Sequence, residues 1–130
     1  MTARSGLPVF LNLAQIRMPV GALTSIGHRI SGVVLAASVP VALWLFDVSL
    51  RDEAGFERVA ALFERFAFRA AAVIAIWALA HHLLAGVRHL LSDFQIGAPL
   101  RMARRSAWFV NLAGLGVALL AAAVMSWPAA

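Results

Sequence analysis

The sequence predicts an all-α integral membrane protein, with three transmembrane helices that form part of a heteromeric helix bundle. Hydrophobic residues fill 62% of its 130 positions and the mean hydropathy is +0.86, whereas soluble domains are roughly 45–50% apolar. The length allows about three spans of roughly 20 residues with short connections. Three spans are too few to enclose a large cavity, so partner helices in the lipid bilayer are expected.

Residues 1–20 read as a retained amino-terminal segment. They carry Arg4, Arg17, Pro8 and Pro19 but lack an apolar core followed by a small-residue cleavage site. The first span covers about 23–50 and contains Pro40, which should bend it. An intramembrane proline removes a backbone donor, a defect that neighbouring helices absorb, so this span belongs in a bundle. From Asp47 to Arg69 charges of both signs accompany Phe56, Val59, Leu62, Phe63 and Phe66 at helical spacing. That pattern predicts a short loop and an amphipathic lead-in to the second span, about 68–92. Gly97 and Pro99 end it. Arg101, Arg104 and Arg105 precede the third span, about 106–127, which reads as apolar filler that completes the count.

The net charge of +5 comes from arginine alone, gathered near span ends and not in a solvated basic run. Membrane topology is therefore the reading, not nucleic-acid binding. Arg4, Arg17, Arg29, Arg88, Arg101, Arg104 and Arg105 fall on one side, against Arg51, Arg58, Arg65 and Arg69 on the other. The positive-inside rule then puts the amino terminus in the cytoplasm and the carboxy terminus across the membrane, with Trp127 at the far interface. Without cysteine, disulfides and thiolate-held clusters are excluded for this chain. No internal repeat suggests an inverted-repeat transporter.

Ionisable groups beside lipid are costly, and mark function. On the second span His82, Gly86 and His89 share a face, and His81 is rotated about 100° away. A neutral imidazole ligates iron when its other nitrogen is hydrogen-bonded, and a glycine one turn on leaves room for a flat macrocycle. The alternative is a histidine that only bonds a neighbouring helix, beside a glycine that only permits close packing. On the first span Ser25, His28, Arg29, Ser31 and Gly32 cluster at the same cytoplasmic end as Arg88 to Asp93. An arginine there suits a carboxylate, either Asp93 or a haem propionate, and Ser25 offers a quinone carbonyl a donor. Equally, Arg29 would snorkel to headgroups and Ser25 would cap the helix. A bis-histidine site on His28 and His89, each roughly 5–8 Å deep against roughly 15 Å for His82 at 1.5 Å per residue, is the geometric rival.

Ser25-x-x-His28-Arg29-x-Ser31-Gly32, followed by His82-x-x-x-Gly86-x-Arg88-His89-x-x-x-Asp93, resembles the cytochrome b membrane-anchor family of bacterial succinate dehydrogenases. Asn12-Leu-Ala-Gln15-Ile-Arg17-Met-Pro19 extends the resemblance over nearly the whole chain. It implies a cytoplasmic-membrane subunit that helps bind haem b and ubiquinone so that electrons from succinate reduce the quinone. By the resemblance His82 is the axial ligand of the haem iron, the other coming from a second, D-type membrane anchor subunit. His28 and Arg29 lie by the haem propionates, Ser25 and Arg29 line the ubiquinone pocket, and Asp93 is a candidate proton relay. The implied partners are that anchor, an iron–sulfur subunit and a flavoprotein, and the chain alone lacks the succinate-oxidising site. One departure is His81, where the family commonly has an aromatic residue. The alternatives are a haem-free structural anchor and the cytochrome b subunit of another quinone-linked enzyme such as fumarate reductase.

Overall fold

The computed structural model describes residues 18–126. Within them the chain forms four helices and no strand. Helix α1, Val20–Arg51, starts at Pro19, whose extended backbone (φ −64°, ψ 149°) and carbonyl, accepting from the amides of Ala22 and Leu23, set up the first turn. Its 32 residues span about 48 Å at 1.5 Å each, more than the roughly 30 Å hydrocarbon core. The helix runs on through Pro40 to Arg51.

Where the pattern suggested a loop and lead-in, the chain makes a one-residue turn at Asp52 and a separate amphipathic helix, α2, Glu53–Glu64. Asp52 Oδ1 accepts from the amide of Gly55 at 2.5 Å, the N-cap bond that satisfies an orphan donor of the first turn. Gly55 is required there, because a Cβ would lie 2.3 Å from the carbonyl oxygen of Val48. Extended backbone at Arg65 (φ −78°, ψ 126°) separates α2 from α3, Phe66–Asp93. After the turn at Gln95 and Gly97, both at positive φ, α4 runs over Leu100–Ser126. It takes in Arg101, Arg104 and Arg105, which the sequence pattern had put ahead of the span. Trp127 and the amino-terminal motif up to Arg17 lie outside the described residues.

Helices α1, α3 and α4 are each long and apolar enough to cross a membrane, and α3 packs against both of the others. The buried residues are small or polar: Ala78, Ala85, Ala107, Val20 and Val110, with Thr24, Ser31 and His81. The large side chains, among them Trp44, Phe46, Leu83, Leu90, Trp108 and Phe109, face outward. Such a distribution suits lipid as solvent. Apolar side chains gain nothing by leaving it, so association rests on close backbone packing and interhelical hydrogen bonds.

Candidate functional site

The site is built where α3 crosses α1. The hydroxyl of Ser31, fully buried, donates to the carbonyl oxygen of His28 one turn back, at 2.9 Å. His82 Nδ1 meets both groups, 3.1 Å from that carbonyl and 3.2 Å from Ser31 Oγ. A carbonyl only accepts, and the Ser31 proton is already directed to it, so Nδ1 carries the hydrogen and Nε2 keeps its lone pair. Gly32 makes the approach possible, since a Cβ there would lie 3.0 Å from His82 Cε1. The ring of His28 stacks on that of His82 with centroids 4.1 Å apart at 28°. Stacking covers the ring's face and leaves the Nε2 edge.

Gly86 lies on the same side, its Cβ position 3.8 Å from His28 Nε2. His89 is exposed, its ring 5.2 Å from that of His28 at 42°. Those two rings are in tilted contact, which leaves no slab for a macrocycle between them. The within-chain bis-histidine arrangement therefore does not fit this geometry. Among the described residues no group of three His, Cys, Asp or Glu could hold a metal ion. A single imidazole, His82 in a half-buried place with Nδ1 hydrogen-bonded, is a donor that could hold a haem iron through Nε2.

Ser25 and Arg29 stand one turn apart on α1, half-buried and exposed respectively. Asp93, the last residue of α3, is exposed. The ion pairs among the described residues, Asp47–Arg51 and Asp52–Arg58, are at the other end of α1, so neither Arg29 nor Arg88 pairs with Asp93. Arg88 turns instead to α4, donating through Nε to Ser106 Oγ at 3.1 Å and through Nη2 to the carbonyl of Ala103 at 3.3 Å.

The third span is more than filler. Asn111 Oδ1 lies 3.1 Å from His81 Nε2 and 3.2 Å from the hydroxyl of Thr24, so one amide oxygen meets α1 and α3. The available signal was an asparagine in an otherwise apolar run, since lone polar side chains in spans serve as interhelical glue. Ser31 belonged to the motif by spacing, but nothing in the sequence indicated that its hydroxyl would seat His82.

Fold and seam together define a multi-pass helical membrane protein in which a half-buried imidazole, His82, is held through Nδ1 against a neighbouring span. Over residues 4–123 the chain matches the family model described as succinate dehydrogenase/fumarate reductase transmembrane subunit, and it belongs to that family. It is 33% identical over 124 residues to the succinate dehydrogenase cytochrome b556 subunit of Coxiella burnetii (strain RSA 493 / Nine Mile phase I), covering 92% of this chain and 96% of that one. It is 30% identical over 104 residues to the protein of the same name from Paracoccus denitrificans, covering 80% of each.

Proposed function

We propose that the chain is the cytochrome b anchor of a succinate dehydrogenase, helping bind haem b and ubiquinone so that electrons from succinate oxidation reduce the quinone. The observation that carries this reading is the commitment of His82 Nδ1 to the His28 carbonyl and Ser31, which keeps Nε2 as a ligating lone pair. Hydrogen bonding of the second nitrogen fixes a histidine ligand's tautomer and orientation. When bound, the haem would supply a one-electron centre, held by His82 of this chain together with a histidine of the partner anchor.

This chain's residues bind and orient. His82 would hold the iron through Nε2, and His28 with Arg29 would hold the propionates. Ser25 and Arg29 donate to a quinone carbonyl, and their fixed dipole and charge favour negative charge developing on that oxygen. Asp93 passes protons from the cytoplasmic side. The arginine distribution supports a cytoplasmic amino terminus in the bacterial inner membrane, with the flavoprotein and iron–sulfur subunits seated on that face.

The test compares two assays on the purified complex. Ser25→Ala and Arg29→Ala should impair ubiquinone reduction while succinate oxidation with a soluble artificial acceptor persists. Equal loss in both assays contradicts the quinone-site assignment and points to failed assembly.

A further inference from the structure

His81 has no role in the haem and quinone chemistry proposed above, yet its residue is only 3% exposed, the most enclosed of the four histidines. Successive residues of α3 are turned by about 100°, so His81 enters the seam between α1 and α4 while its neighbour His82 packs against α1. Its Nε2 faces Oδ1 of Asn111 at 3.1 Å. Thr24 Oγ1 of α1 lies 3.2 Å from the same oxygen, with a nearer acceptor for its proton in the carbonyl of Val20 at 3.0 Å, so all three spans meet at one amide. Asn111 Oδ1 accepts, so Nε2 is the donor. Nδ1 is left as a buried atom with no hydrogen-bond partner among the described residues.

Sterics close the remaining sides of the ring. A Cβ on Gly27 of α1 would lie 2.8 Å from His81 Cε1 and 3.0 Å from Nε2, and one on Gly114 of α4 would lie 3.3 Å from His81 Cβ. Two absent side chains thus form a slot in which the imidazole can turn little. Five residues along α1 from Gly27, Gly32 meets the ring of His82. The two adjacent rings are therefore seated against two glycines of one helix. A rotation of α3 therefore moves both rings relative to α1.

We propose that His81 is a positioning residue for its neighbour. Held in the Gly27–Gly114 slot by Asn111, it fixes the rotation of α3 and so the direction in which His82 presents Nε2. The inference rests on His82 being the haem ligand.

The test uses the purified whole complex. It reads haem content, thermal stability and the highest g value of the ferric low-spin haem signal, which responds to the relative orientation of the axial imidazole planes. His81→Phe keeps a ring in the slot and removes the N–H, and Asn111→Leu removes the acceptor. Both are expected to retain haem with a shifted g value. His81→Gln, whose amide nitrogen reaches toward the place of Nε2, should return the signal toward wild type. Full haem with the wild-type g value in His81→Phe and Asn111→Leu overturns the proposal. So does a fall in haem content and stability while the g value of the remaining haem stays unmoved, the pattern of a merely structural role. If neither variant assembles, Gly114→Ala decides on the same signal, a shift supporting the proposal and an unchanged value overturning it. His82→Ala keeps the two readings distinguishable. Retention of an unaltered haem signal there removes the ligand assignment, whereas its loss, with unmoved g values in the His81 series, removes only the positioning role.

Discussion

His82 Nδ1 lies 3.1 Å from the carbonyl oxygen of His28, so the imidazole proposed to hold iron is aimed by the backbone of another helix. A backbone acceptor cannot be mutated away, but the groups that shape the approach can be.

Ser31→Ala removes the hydroxyl that shares Nδ1 with the carbonyl. The carbonyl bond to Nδ1 remains, so the loss should be that of the Ser31 bond to the His28 carbonyl and of its shared contact with Nδ1, about 0.5–1.5 kcal/mol each. Changes to outer-shell partners of metal ligands typically weaken binding about 10–100-fold, and retention of one acceptor puts the effect on haem affinity at or below the lower figure. Titrating haem into haem-depleted complex measures it.

Gly32→Val should be more severe. Even a bare Cβ would lie 3.0 Å from His82 Cε1, and the branched side chain must push the ring off its two acceptors. The haem-to-flavin ratio of purified complex should fall, while Gly32→Ala, which needs a shift of only a few tenths of an ångström, should lose less.

Much of this architecture was legible in the sequence because the bilayer imposes simple rules. Apolar run length predicts three spans, and polar residues inside them are expensive enough to mark the seam at His28 and His82. Other parts depended on tertiary geometry. Asp47 to Arg69 carries an amphipathic pattern that suits a lead-in as well as a free-standing helix, and what separates α2 is the fit of Gly55 beneath the Val48 carbonyl. Asn111 was visible as an isolated polar residue, yet its partners His81 and Thr24 are 30 and 87 residues away. Arg88 looked like part of the ionisable cluster, but its guanidinium reaches Ser106 and Ala103 on α4.

Arg88→Ala should therefore loosen the α3–α4 pair, by about 1–3 kcal/mol for charged hydrogen bonds in a partly buried place. Arg88→Lys should recover only part, because one ammonium cannot reproduce a planar fork that spans a hydroxyl and a carbonyl. Thermal unfolding of the detergent-purified complex gives the order wild type, Lys, Ala. Equal midpoints for wild type and Ala would show that the cross-link contributes nothing.

Gly55→Ala tests the turn that separates α2 from α1. A methyl placed 2.3 Å from the Val48 carbonyl forces a backbone shift, with an overpacking cost of about 1–3 kcal/mol. Because the turn lies at the opposite end of α1 from His28, stability should fall while the haem spectrum of the assembled complex is unchanged.

Whether His82 is this chain's ligand to haem iron is read from the reduced-minus-oxidised optical spectrum of the purified complex. The wild type is expected to show a b-type signal that is lost or altered in His82→Ala, with the proposed flavoprotein and iron–sulfur subunits still attached. A wild-type complex without that signal, or a His82→Ala complex that keeps it unaltered, would contradict the assignment.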